Sequence, residues 1–203
     1  MAPTEPFLTR RAALTGIILA LAGCRDEGWY GTDVSGLLPD LSFTMTRASD
    51  GKSVTEADYA GQVVVLYFGY TFCPDICPMT LSNLAAATEE LGADAAKLSI
   101  LFVTVDPERD TREIMAKYTA AFSARADGLI GTPNQLARLA RRFKVTYKIA
   151  PHAPGALDYA VSHGTSVYVF DARGKAQVLW PRFDTLDADI KGATGDLRQI
   201  IAG

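Results

Sequence analysis

Residues 63–70 read VVVLYFGY, an unbroken apolar run bounded by Gly61 and Thr71. The run is β-branched and aromatic, and a strand apolar on both sides has to be covered on both faces. It is followed at once by Phe72-Cys73-Pro74-Asp75-Ile76-Cys77-Pro78. From Pro78 to about Leu91 the spacing predicts a helix, with Met79, Leu81, Leu84 and Ala85 among polar residues and Gly92 at its stop. Two cysteines therefore stand where a buried strand hands over to a helix.

The rest of the chain repeats this alternation. Leu41–Arg47 reads as a short strand, with Asp50-Gly51 as a turn that closes a hairpin. Leu98–Val105 is a second buried strand. Asp110 and Glu113 form an N-cap pair for a helix to about Phe122, and Asp127–Ile130 is a short strand. Pro133-Asn134 opens a helix to about Phe143, lined by Leu136, Leu139 and Ala140. Val145–Ile149 and Tyr159–Ser162 flank a Pro-rich turn as an excursion. Thr165–Phe170 and Ala176–Trp180 make a hairpin around Asp171–Gly174, and a last helix runs from about Leu186 to Ile201. Strand–helix–strand–helix followed by a hairpin and a helix predicts an α/β fold around a mixed central sheet, with an N-terminal hairpin extension. A βα junction that carries two cysteines matches the thioredoxin-like order.

The three cysteines divide into one and two. Arg10 and Arg11 precede an apolar stretch, Ala12 to Gly23, of twelve residues. At about 1.5 Å per residue it is too short for a hydrocarbon core of about 30 Å. Basic residues, a short apolar segment and small residues are the layout of a secretory signal, expected over residues 1–23. It ends Leu21-Ala22-Gly23-Cys24, which resembles a bacterial lipobox, and that resemblance implies lipidation of Cys24. The Thr9–Leu14 segment also looks like a twin-arginine signal. Residues 24–40, rich in Gly, Asp and Ser, are expected to tether a domain spanning residues 41–203. The expected location is the cell membrane of a bacterium, with the domain on the periplasmic, extracytoplasmic side. A net charge of −3 leaves no cationic footprint for nucleic acid, and 48% hydrophobic against 21% charged residues excludes disorder.

Cys73 and Cys77 sit four residues apart, one residue wider than the usual C-x-x-C of a disulfide oxidoreductase. Across one helical turn this step brings both sulfurs to one side, which suits a shared metal ion and still permits a disulfide. Free N–H groups at the helix start favour the thiolate. Two soft thiolates select Cu(I) first, with Zn(II) a lesser fit. Only His152 and His163 can supply an imidazole. His152, in Ala150-Pro151-His152-Ala153-Pro154, reads as a solvated loop residue. His163 directly precedes a buried strand, at a junction that in a thioredoxin-like sheet faces the cysteine loop.

FGYTFCPDICP, VDPERDT and YAVSHGT together resemble the Sco/SenC family of copper-binding, thioredoxin-like proteins, over a match from about Leu38 to the C-terminus. The resemblance implies one copper ion, Cu(I) or Cu(II), held by Cys73, Cys77 and His163. It implies a membrane-tethered protein that assists assembly of the dinuclear copper centre in subunit II of cytochrome c oxidase. That assistance is copper delivery, reduction of the recipient's cysteines by a redox-active Cys73–Cys77 pair, or both. Phe72 stands where the family often has His, and Ser162 where it often has Asp. No proline stands immediately before the Thr165 strand, which weakens a pure oxidoreductase reading. A thiol peroxidase lacks its supporting threonine and arginine around Cys73, and structural zinc lacks a fourth ligand.

Other residues read more plainly. Asp106–Asp110 is expected to be a solvated loop ending in an N-cap, or else a charged rim for a partner. Asp75, between the cysteines, is expected to tune the thiolates or contact a partner, or else to be a merely exposed loop carboxylate, and Tyr70 and Phe72 to pack at the strand end or lid the site. Arg138, Arg141, Arg142 and Lys144 form a helix face and end.

Overall fold

The apolar run forms β4 (Val63–Gly69), buried at every position. The computed structural model describes residues 28–203. The expected signal over residues 1–23 and the lipid-bearing Cys24 lie outside the described residues. In register with β4 runs a parallel β5 (Leu98–Thr104), which pairs in parallel with β6 (Ala126–Ile130). On the other side of β4 lies β9 (Val167–Phe170), antiparallel to it and hairpin-paired with β10 (Ala176–Trp180). Two edges complete the mixed sheet. β2 (Thr44–Arg47) and β3 (Ser53–Thr55) extend it beyond β6, and β1 (Thr32–Asp33) adds to β10.

Helices cover both faces, as a strand apolar on both sides requires. Tyr67 on β4 and Phe102 on β5 point to the face carrying α1 (Ile76–Leu91), α2 (Arg112–Phe122) and α4 (Ile190–Ala202). Tyr168 and Phe170 point the other way and meet Phe143, which ends α3 (Pro133–Arg142). Thr132 and Gln135 cap α3 reciprocally, with Pro133 in its first turn. The thioredoxin-like mixed sheet flanked by helices is thus present.

Several boundaries differ from the sequence expectations. α1 begins at Ile76, two residues before Pro78, so Cys77 is already helical. Proline is tolerated there because the first-turn N–H groups have no helical acceptor. The strand expected over Leu41–Arg47 shortens to β2, because Leu41 N–H donates to the Gly174 carbonyl and Phe43 N–H to Glu56. The helix expected from Leu186 starts at Ile190, capped by Asp189, since Asn83 Nδ2 holds the Phe183 and Thr185 carbonyls in a turn. Thr111, not Asp110, caps α2, its Oγ1 accepting from Ile114 N–H at 3.3 Å. The Asp110 carboxylate turns inward instead, to the Thr71 and Thr104 hydroxyls.

The expected tether is also partly structured. From residue 28 onward it lies on the domain: Val34 is buried and Trp29 packs on the core. The buried Asp196 carboxylate on α4 accepts from Tyr30 N–H at 2.8 Å, Gly31 N–H at 3.0 Å and Trp180 Nε1 at 2.8 Å. Three donors thus converge on one buried carboxylate. Local composition hides this, because glycine-rich sequence reads as linker while its acceptor stands 165 residues away.

Candidate metal centre

Three elements bring one ligand each. Cys73 lies in the loop after β4, Cys77 is the second residue of α1, and His163 ends β8 (Val161–His163). β8 pairs antiparallel with β7 (Tyr147–Ile149), so the two excursion segments form a small ribbon rather than loose loop. The Cys73 and Cys77 sulfurs and a His163 ring nitrogen all lie within 4.8 Å of one another. All three residues named from the sequence are therefore together, and no other cluster of His, Cys, Asp and Glu with metal-holding geometry occurs among the described residues.

Each ligand atom is prepared by its surroundings. His163 Nδ1 lies 2.9 Å from the Gly164 carbonyl, which can only accept, so Nδ1 carries a proton. Nε2 faces the thiols and stands 3.4 Å from Cys77 Sγ. The carbonyl does for the ring what a carboxylate at Ser162 would do: it fixes tautomer and orientation. Tyr70 meets the imidazole edge-on at 5.8 Å and donates its hydroxyl to the Val161 carbonyl, which ties the cysteine loop to β8.

The two thiols are not equivalent. Cys77 has no exposed surface and Cys73 retains 9%. Cys77 N–H, in the first turn of α1, points at Cys73 Sγ at 3.4 Å. Hydrogen bonding from the Cys77 thiol, opposed by burial and helped by His163, holds Cys73 well below the ordinary thiol range. The neighbouring Cys73 sulfur and burial push Cys77 up. The pair thus gives up its first proton at Cys73 and retains the second until a cation displaces it. The Tyr67 hydroxyl lies 3.6 Å from Cys77 Sγ, and burial raises it, so it stays protonated. A cavity of about 240 Å³ opens beside the ligands, lined by Tyr70, Cys73, Asp75, Ile76, Val161 and His163. A three-ligand site with one open side can hold a soft ion and exchange it.

The sequence reading missed the support behind the loop. Asp106, Arg109 and Asp110 are all buried, neither a charged rim nor a solvated loop. Arg109 Nε pairs with Asp106, and Nη1 donates to the Leu157 and Tyr159 carbonyls at 2.9 and 3.1 Å. Its guanidinium lies 3.7 Å from the Tyr159 ring centroid and 5.0 Å from that of the half-exposed Phe72. The Tyr159 hydroxyl donates to Asp106 at 2.6 Å. His152 stacks on Tyr159 at 3.8 Å rather than standing free in solvent. The clue was present: a planar, always-charged guanidinium can satisfy backbone carbonyls and an aromatic face together.

Among the described residues, no helix is long and apolar enough to cross a membrane. The SCO1/SenC family model matches residues 40–202. The mitochondrial SCO2 homologue of Bos taurus is 40% identical over 126 residues, covering 61% of this chain and 47% of that protein. The chain therefore spans just under half the length of this relative. Among solved structures, Bradyrhizobium japonicum ScoI with copper bound superposes with a TM-score of 0.69 at 31% identity, over 79% of this chain and 98% of that one. Yeast Sco1 with copper bound gives 0.72 at 27% identity, over 81% of this chain and 90% of that one.

Proposed function

Because the chain belongs to the SCO1/SenC family, we propose that it is a copper metallochaperone which binds one copper ion through Cys73, Cys77 and His163. The convergence of those three ligand atoms within 4.8 Å carries the reading. Copper is the metal that suits them: two thiolates hold Cu(I), and the imidazole helps accommodate Cu(II). The recipient is the dinuclear copper centre of cytochrome c oxidase subunit II. Copper leaves through the open side of the site, where an incoming cysteine thiolate replaces one ligand at a time. Cys24 anchors the chain by its lipid to the outer face of a bacterial cell membrane, with the domain in the periplasm.

The asymmetry of the thiols supports a second role for the same pair, thiol–disulfide exchange. Cys73 reaches the surface and can attack a recipient disulfide, and buried Cys77 then resolves the mixed disulfide. The recipient leaves with two thiols, and the chaperone leaves with a Cys73–Cys77 disulfide that can no longer present two thiolates to copper. The roles therefore alternate with redox state.

Anaerobic titration of the reduced protein with Cu(I) tests the site. One equivalent bound tightly and a marked loss of affinity in His163→Ala are expected. Unchanged binding in that variant overturns the ligand set. Mixing the copper-loaded protein with the reduced copper-binding domain of subunit II, while following copper and thiols together, separates delivery from reduction.

A further inference from the structure

The direction in which the N-terminal segment leaves the sheet bears on how the site is presented. β4 runs toward the metal centre, and Tyr67 lies level with Val167 on β9, which lies level with Trp180 on β10. β1 is antiparallel to β10, with Thr32 opposite Leu179 and Asp33 opposite Val178. Followed backwards, the chain climbs from Asp33 through Gly31, beside Trp180, to Tyr30, beside Gly192 at the start of α4. It leaves the domain at the same end of the sheet as Cys73, Cys77 and His163.

The Asp196 carboxylate fixes this exit through Tyr30, Gly31 and Trp180. Only six residue-to-residue steps separate Cys24 from Tyr30. Fully extended, they span at most about 21 Å. From β1 across β10 and β9 to β4 is a further three strand spacings, about 14 Å.

An independent observation concerns the exposed apolar side chains. Tyr30, Phe72, Ile76, Ile114, Leu157 and Leu186 all stand on loops or helix starts at this end of the sheet, whereas Leu37 lies beyond the opposite end of β1. Single exposed apolar residues are ordinary, but their collection at one end marks a contact surface. That end also carries Asp75, Glu108, Asp184 and Asp187, mixed with the exposed Arg112, Arg182 and Lys191, so it has no cationic excess. Attraction to anionic lipid therefore does not orient it; the short docked tether does.

We propose that the metal-bearing end of the domain faces the membrane surface, with Leu157 and Leu186 against the lipid headgroup layer. The inference rests on the reading of Cys24 as the membrane anchor. It makes the copper site accessible sideways, to a recipient held in the same membrane, and shields it from the bulk compartment.

Reporters that add one tryptophan to the native Trp29 and Trp180 test the orientation in the full chain. Leu157→Trp, Leu186→Trp and Leu37→Trp alter side chains that are 68, 89 and 78% exposed, so the core is undisturbed. Each protein is purified with its lipid from a lipoprotein-processing bacterium. Each is then placed in phosphatidylcholine vesicles with and without brominated chains, against the unsubstituted protein as background. The expected result is flotation with the vesicles and added quenching at positions 157 and 186 but not at 37. Flotation with equal quenching at all three positions, or with none, overturns the orientation and leaves the anchor standing. Failure to float removes the anchor and the orientation together. Quenching at 157 and 186 that disappears when a 20-residue Gly/Ser segment is inserted after Cys24 assigns the orientation to the short tether; quenching that survives the insertion overturns that cause.

Discussion

Gly69 and Cys77 approach so closely that a β-carbon on Gly69 would stand 2.7 Å from the Cys77 sulfur. The same atom would meet Phe102 at 2.6 Å. Glycine is required here for space, not for an unusual backbone angle, and it lets the last residue of β4 pass under the first turn of α1.

Substituting Gly69→Ala therefore moves a ligand. Overpacking of this kind costs about 1–3 kcal/mol. We expect a folded protein with lowered urea resistance and weaker Cu(I) binding, measured by competition with a chromophoric chelator. Wild-type copper affinity in a folded Gly69→Ala protein would falsify the steric account.

Arg109 joins the loop after β5 to the loop that leads to His163. Its replacement by Met leaves the Asp106 carboxylate buried without its cation, and removing one partner of a buried pair costs about 3–5 kcal/mol. The urea midpoint should fall accordingly. Tyr159→Phe, which removes one hydrogen bond from Asp106, should cost only about 1 kcal/mol. Equal losses in the two variants would show that the ion pair is not the main support.

The two thiols should alkylate unequally. Cys73 is the more accessible and the one held below the ordinary thiol range. Its thiolate persists as pH falls through 7 toward 6, where an unperturbed thiol of pKa about 8.5 is almost wholly protonated. Substoichiometric iodoacetamide at pH 6, followed by peptide mass spectrometry, should label Cys73 ahead of Cys77. Preferential labelling of Cys77 would reverse the assignment of the attacking sulfur.

Asp196 should control whether residues 30–33 remain docked. Asp196→Ala strands three donors, and hydrogen bonds to a charged group are worth about 1.5 kcal/mol or more each, roughly tenfold in an opening equilibrium. Amide exchange at Tyr30 and Gly31 should accelerate by at least about tenfold, with a change in Trp180 emission. Unchanged exchange would mean that β1 pairing alone holds the segment.

The three residues of the proposed metal site were legible because their signals are local. CPDIC places two sulfurs by spacing, and SHGT lies directly before an apolar strand. The strand–helix order was legible from periodicity alone. Asp106, Arg109 and Asp110 were not, since burial of a charged side chain depends on partners far along the chain: Leu157 and Tyr159 for Arg109, Thr71 for Asp110. The docked stretch around Gly31 failed for the same reason. Its glycine suggests freedom, yet a β-carbon there would run into the Val178 side chain. Tyr67 carried a weak clue, a lone hydroxyl in an otherwise apolar strand, whose partner had to be a polar atom at the strand end.

Cys77 and His163 lie 86 residues apart, on β4's following helix and on a ribbon from the opposite half of the chain. A copper ion bound as proposed would act as a rivet through the whole molecule. An unfolded chain can offer copper only two neighbouring sulfurs, whereas the third donor exists once both halves have met. Copper bound by all three would thus be a certificate of completed folding, and immature copies would be poor competitors for the metal.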